Sequence, residues 1–232
     1  MNSGRSLWRC GARPNWQTIT CNTPSPGLPL QACCRLSIYI KYTMAKETES
    51  LRGQLLIAMP GMPDPRFSGT VMLICYHNKD GAMGLVLNRL VGTLRIDQVL
   101  DELKSDIRLP EELLRVHLGG PVSTQRGFIL HGGELKHSDS HIVTDDISLN
   151  ATTEALENLV ARGGMIPWRF ALGCASWTSG QLEEEIREGA WLTAPARREL
   201  IFKKELPLMW KASLIEAGIS NPEMLVAETG NA

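Results

Sequence analysis

The chain has 232 residues, of which 43% are hydrophobic and 21% charged, and its formal net charge is −1. This length and composition suit one domain with a hydrophobic core, and they exclude collagen-like, low-complexity and intrinsically disordered chains. No run of about 18 consecutive apolar residues occurs, which excludes a membrane-spanning helix.

The first 43 residues differ in charge from the rest of the chain. They hold five basic residues and no acidic one, so residues 44–232 carry a net charge of −6. An Arg-rich, acid-poor leader is typical of an organelle transit peptide, and the four cysteines of this stretch could form a metal or disulfide element. The interpretation we adopt is a start assigned too early, with Met44 as the first residue. We therefore predict that residues 1–43 are disordered and that residues 44–232 form a single domain.

Apolar runs predict the first strands of this domain. A short run covers 54–59, and runs at 70–76 and 83–87 predict a β-hairpin because Asp80-Gly81 lies between them. Both runs are apolar at consecutive positions, so we expect both faces of the hairpin to be covered. Apolar residues at helical spacing predict a helix over 96–103.

Strands and helices mix in the second half of the chain. Strands are predicted at 116–118, 127–131, 141–144, 170–174 and 191–193. The segment 134–145 is otherwise polar and is predicted as an exposed loop. Helices are predicted around 156–160, over 179–188, and from Pro207 to Gly218. Strands that come in runs and hairpins, with helices between some of them, predict the α+β class.

The predicted helix at 179–188 carries the strongest local signals. Thr178 and Gln181 have the spacing of a capping box, in which the threonine hydroxyl accepts from the Gln181 backbone and the glutamine side chain reaches back. Trp177 and Leu182 can form a hydrophobic staple across this cap. Gly189 can adopt the left-handed conformation that ends a helix.

Four groups of segments, in this order, resemble the YqgE/AlgH family of bacterial proteins. They are LLIAMP (55–60) with DPRF (64–67); residues 77–88; GGPV (119–122) with RGFILH (126–131); and GCASW (173–177) with GQLE (180–183) and WL (191–192). The resemblance covers residues 52–215 and supports Met44 as the first residue. It implies an α+β fold with a mixed sheet curled into a pseudo-barrel with flanking helices. It implies little about activity, because the family is mostly uncharacterised and carries only a transcriptional-regulator label.

The reactive side chains allow both catalytic and structural interpretations. Cys75 and His77 are two apart in a predicted strand and should face the same side, where a thiolate beside an imidazole could act as a nucleophile pair. The structural alternative is a buried thiol next to a histidine at a strand end. The five histidines, including His137 and His141, form no metal-binding motif, so we predict no metal and no cofactor.

Six residues are candidates for a ligand or partner site: Asn88, Gly120, Arg126, Trp177, Gln181 and Glu185. Arg126 could clamp an anion beside the backbone amides at Gly120, or it could form a structural ion pair. Gln181 and Glu185 are four apart on a helix near Trp177, and these groups could hold a small polar ligand. A purely capping role is the alternative for Gln181.

These observations favour a non-catalytic cytoplasmic protein that binds a protein partner or a small polar ligand and influences gene expression indirectly. The alternative is an enzyme that uses Cys75 and His77, or the cleft near Gln181 and Glu185. Direct DNA binding fits poorly, because residues 44–232 are acidic and carry no helix-turn-helix or zinc-finger pattern. Nothing in the sequence predicts membrane association.

Overall fold

A computed structural model describes residues 50–62, 64–95, 113–135 and 139–227. The predictions for residues 1–43, for a start at Met44, for a helix at 96–103 and for His137 lie outside these ranges. The strands are β1 (Gln54–Ala58), β2 (Val71–Asn78), β3 (Gly81–Val86), β4 (Leu90–Arg95), β5 (Leu113–Leu118), β6 (Val122–Gly132), β7 (His141–Thr144), β8 (Ile147–Asn150), β9 (Trp168–Thr178) and β10 (Trp191–Pro195). The helices are α1 (Thr153–Ala161), α2 (Gln181–Arg187), α3 (Arg198–Phe202), α4 (Leu206–Glu216) and α5 (Pro222–Ala227).

The strands join into one mixed sheet that curls into a half-barrel, which confirms the α+β prediction. Its main order is β10-β1-β2-β3-β9-β6-β8-β7, and these neighbours pair antiparallel. Strand β5 pairs in parallel with the first half of β9, and β4 pairs with β5. The long strand β9 therefore holds β3 and β5 along one edge and β6 along the other.

Helices cover both faces of the sheet, as the consecutive apolar residues of the hairpin predict. Val71, Leu73 and Cys75 of β2 belong to a core cluster that includes residues of α3 and α4. Met72 and Ile74 belong to a second cluster, which includes Leu182 of α2 and the Trp177 side chain. We call these sides the α4 face and the α2 face.

The connection between β5 and β6 packs closely against the backbones of β3 and β9 in the middle of the sheet. The backbone of Gly119 accepts from Val86 N at 2.8 Å and donates to Leu172 O at 2.8 Å. A Cβ on Gly119 would stand 2.1 Å from Gly173 O, and one on Gly120 would stand 2.2 Å from the Cys174 carbonyl carbon. Gly119 and Gly120 thus form a crossing where the Cβ of any other residue would clash with the neighbouring backbone.

The structure contains elements that the sequence pattern did not predict. Strand β4 is an edge strand with most of its residues exposed on both faces, so it lacks the alternation that marks a half-buried strand. Strand β8 is fully buried, but Ser148 and Asn150 interrupt its apolar character. Helices α3 and α5 are short, with five and six residues, and give little periodic signal.

Candidate functional site

The carboxylate of Glu185 collects three N–H donors. Helix α2 places Gln181 one turn before Glu185, and the Gln181 side-chain amide donates to Glu185 Oε1 at 3.0 Å. The indole N–H groups of Trp177 and Trp191 each donate to Glu185 Oε2 at 2.9 Å. Both tryptophans are buried, with 7% and 3% of their surfaces exposed. Glu185 therefore provides the acceptor for two indole N–H groups that are shielded from water. This arrangement holds β9, α2 and β10 together.

The helix that carries these residues begins later than its sequence pattern indicates. Its N-cap is Gly180, with a φ of 73°, and no side chain caps it. Thr178 donates from both its backbone N–H and its hydroxyl to Gln181 Oε1, at 3.0 and 3.1 Å. The predicted capping box is therefore wrong in its first half, because the threonine hydroxyl is a donor to the glutamine rather than an acceptor from the backbone. Gly189 does end the helix with a left-handed φ of 79°.

A loop between β1 and β2 extends this cluster toward the surface. The Phe67 ring meets the Trp191 ring edge-on, with 5.9 Å between the centroids. The Arg66 guanidinium lies over the Phe67 ring and also pairs with Asp64 at 2.6 Å. Hydrogen bonding to Arg66 holds the pKa of Asp64 below its usual range.

Asn88 holds the end of the same loop next to β2 through hydrogen bonds, and it is not part of the Glu185 cluster. Its side-chain oxygen accepts from Val71 N at 3.0 Å, and its amide nitrogen donates to Gly69 O at 2.9 Å. Both polar ends of the side chain are thus used to tie the loop to the strands that follow it.

Arg126 also lies apart from the Glu185 cluster. The register of β6 shifts between Val122 and Gly127, so the residues between them bulge from the ladder with β9. Arg126 is exposed there, and its guanidinium stands 5.4 Å from the centroid of the Phe128 ring. Because Phe128 and Cys174 belong to the α4-face core, Arg126 and Glu185 lie on opposite faces of the sheet. The six candidate residues therefore do not form a single site.

Cys75 and His77 do not face the same side, so the expectation from strand alternation is wrong and the structural alternative, a buried thiol near a histidine at a strand end, is the one found. Ile74 pairs with Gly84 and Tyr76 pairs with Met83, so Cys75 is the extra residue of a β-bulge. A bulge breaks the two-residue alternation, and it turns His77 toward the α2 face while Cys75 lies in the α4-face core. There the thiol is fully buried, and burial raises the pKa of Cys75 far above its usual value.

His77 serves as a link between elements. The backbone N–H of Leu51 donates to His77 Nδ1 at 2.9 Å, which leaves the ring proton on Nε2. From there it donates to Glu183 Oε1 at 2.6 Å and so joins the end of β2 to α2.

Sequence reasoning missed a cavity next to the turn from α3 to α4. Its volume is about 390 Å³, and it lies between strands β5 and β9 and the turn from α3 to α4. Its lining includes these basic side chains: Arg115, Arg169, Lys203 and Lys204. The paired lysines stand out in the sequence as a small basic patch, but the arginines are distant in the chain and only the β5–β9 pairing brings them there.

Within the described ranges, no three His, Cys, Asp or Glu side chains group in the way a metal ion would need. No helix described here is long and apolar enough to cross a bilayer.

A family model described as AlgH-like, DUF179, matches residues 55–222. The chain belongs to the AlgH-like family. The match includes all but the first residue of β1, the Glu185 cluster and the described residues that line the cavity, so the cluster and the cavity both lie within the family domain.

Relatives of this AlgH-like protein extend the match over most of the chain. A UPF0301 protein of Paracoccus denitrificans is 41% identical and covers 80% of this chain and 99% of its own length. A UPF0301 protein of Ralstonia nicotianae, RSc0675, is 45% identical and covers 79% of this chain and 96% of its own length.

Two solved structures share the fold. The solution structure of the AlgH protein from Pseudomonas aeruginosa, PA0405, has a TM-score of 0.64 and 36% identity, and the alignment covers 81% of this chain and 100% of that one. The crystal structure of DIP2367 from Corynebacterium diphtheriae has a TM-score of 0.59 and 20% identity, over 82% and 96% of the two chains. The second likeness concerns the fold alone.

Proposed function

We propose that this AlgH-like protein is a cytoplasmic, non-catalytic binding protein that acts through a small polar ligand. The observation that carries the proposal is that the reactive groups near α2 are engaged in framework contacts. Glu185 accepts from three N–H donors, and His77 uses both ring nitrogens. A general acid or base must be able to reach a substrate proton. Glu185 and His77 instead form their hydrogen bonds with other groups of the protein.

The alternative enzyme that uses Cys75 and His77 is disfavoured by the bulge in β2. A thiol becomes nucleophilic when a base or a positive charge stabilises its thiolate, and the buried Cys75 lies on the other face of the sheet from His77. The two cysteines of the described domain, Cys75 and Cys174, are both buried thiols, which supports a reducing compartment.

The test is to purify the full chain from its native cytosol without denaturation and to identify bound small molecules by native mass spectrometry. We expect one polar small molecule to be retained and to be recovered chemically unchanged after prolonged incubation with the protein. Conversion of that molecule into a product would refute the non-catalytic role. Retention of a partner protein with no small molecule would refute the proposal that the protein acts through a small ligand.

A further inference from the structure

The cavity between β5, β9 and the α3–α4 turn concentrates positive charge. Among the described residues that line it, four have basic side chains and Glu205 is the single one with a carboxylate. Across the described part of the chain, no carboxylate oxygen lies within 4.0 Å of the charged nitrogens of these four side chains. The positive charge of the cavity is therefore not neutralised by an ion pair in that part of the chain.

Three basic residues close to Lys203 and Lys204 in the chain have carboxylate partners among the described residues, unlike the four that line the cavity. Arg198 pairs with Glu134, and Arg197 pairs with Glu216. Lys211 pairs with Glu223 at 2.6 Å. Like charges that are held together without an ion pair cost stability, and a bound anion would offset that cost.

His117 and Arg169 form the floor of the cavity. His117 is buried, with 3% of its surface exposed, and its Nδ1–H donates to Phe170 O at 3.1 Å. That leaves Nε2 as an acceptor for Arg169 Nη1 at 2.8 Å, and Arg169 Nε donates to Ile201 O at 2.6 Å. These bonds fix the guanidinium between β9 and α3, and its Nη2 has no hydrogen-bond partner among the described residues.

The electrostatics of this floor agree with its geometry. Burial, followed by the nearby Arg169 charge, lowers the pKa of His117, in agreement with an Nε2 atom that accepts a hydrogen bond. Burial and the adjacent Arg115 charge lower the pKa of Arg169. The Arg169 guanidinium of the floor thus lies near that of Arg115, and a bound anion would relieve the repulsion between the two charges.

Two more features of the cavity suit an anionic ligand with an apolar part. Helix α4 begins at Leu206 on the rim of the cavity, and no side chain caps that end. The positive end of the helix dipole therefore adds to the positive potential in the cavity. Aromatic side chains form part of the wall: Trp168, Phe170 and Phe202. A volume of about 390 Å³ lies in the range of small-molecule sites.

We propose that this cavity binds a small phosphorylated molecule, with its phosphoryl group on Arg169, Arg115 and the two lysines and its apolar or planar part against the aromatic wall. Arginine is suited to the phosphoryl group because its planar fork can donate two hydrogen bonds to two oxygens. The inference rests on the proposed function in one respect, since it supplies the ligand class for a binding protein.

The first experiment uses the full wild-type chain and phenyl phosphate as the probe, followed by calorimetry and by NMR of the indole N–H groups. We expect saturable binding that shifts the Trp168 indole resonance and leaves those of Trp177 and Trp191 unchanged. Benzyl alcohol, which has the ring without the charge, should not bind. An absence of binding, or shifts confined to Trp177 and Trp191, would overturn the proposal from measurements on the wild-type protein alone.

The second experiment changes the charge of the cavity. The double variant Arg115→Gln with Lys204→Gln should weaken phenyl phosphate binding roughly tenfold or more, because charge-assisted hydrogen bonds are lost. The matched control is Arg197→Gln, which removes one nearby positive charge outside the cavity lining and should change affinity less than about twofold. Equal affinity in the double variant and the control would overturn the site.

Other outcomes separate this inference from the proposed function. If phenyl phosphate binds at the cavity and is hydrolysed, the anion site stands and the non-catalytic role fails. If the probe does not bind while the native protein retains an uncharged ligand, the anion site fails and the binding role stands. Binding of random duplex DNA that is lost in the double variant would overturn the small-molecule proposal in favour of a nucleic-acid surface.

Discussion

The Glu185→Ala substitution tests whether the carboxylate of Glu185 is a structural group. It removes the acceptor of two indole N–H groups whose tryptophans are 7% and 3% exposed. A buried donor left without a partner costs about 1–3 kcal/mol, whereas the bond from the exposed Gln181 contributes little. We expect the free energy of unfolding to fall by about 2–4 kcal/mol.

The Glu185→Gln substitution should have a smaller effect. The glutamine keeps one oxygen where both indoles donate, but it loses the charge and turns an amide toward the amide of Gln181. We expect a loss of about 1–2 kcal/mol, roughly half of the loss in the alanine variant. The control is Glu188→Gln on the same helix, which is exposed and should stay within about 0.5 kcal/mol of the wild type.

The assay is urea unfolding of the full chain followed by circular dichroism, with the indole N–H resonances as a local readout. In Glu185→Ala the resonances of Trp177 and Trp191 should both move upfield, because neither N–H keeps a charged acceptor. A loss below about 1 kcal/mol in the alanine variant would mean that water replaces the carboxylate at little cost. In that case Glu185 would be available to a ligand, and the structural interpretation would be refuted.

Four further predictions follow from single contacts. Gly119→Ala should prevent folding or cost more than about 3 kcal/mol, because its Cβ would stand 2.1 Å from a carbonyl oxygen, while Gly92→Ala has nothing within 4 Å and should be near neutral by thermal unfolding. Cys75 should resist iodoacetamide in the folded protein and react after unfolding, as mapped by mass spectrometry; labelling of native Cys75 at neutral pH would contradict its burial. Because burial lowers the pKa of His117, the unfolded chain binds the extra proton first, so stability should fall as the pH drops below about 6.5; a His117→Gln variant with the same acid slope would speak against this origin. Asn88→Ala removes one acceptor and one donor and should cost about 1–2 kcal/mol, measured by urea unfolding, and an unchanged midpoint would count against the two bonds.

The cavity shows how far sequence reasoning reaches for a functional site. Arg169 Nη1 and His117 Nε2 meet across 52 positions of sequence, because β5 and β9 pair in parallel. A parallel pair needs a long connection, so no local pattern marks its two strands as neighbours. The paired lysines at 203 and 204 are visible in the sequence, but their arginine partners can be assigned only once the strands are placed.

Local sequence signals determined the features whose conformation depends on residues only a few positions apart in the chain. The apolar run of β2, the Asp80-Gly81 turn and the glycines that end helices act through nearest neighbours, and each is found as predicted. The bulge at Cys75 was decided by tertiary structure, because it depends on how β2 aligns with β3, and it reversed the expected relation to His77. The role of Glu185 was likewise decided by contacts between separate elements, since a carboxylate becomes structural only when packing brings buried donors to it.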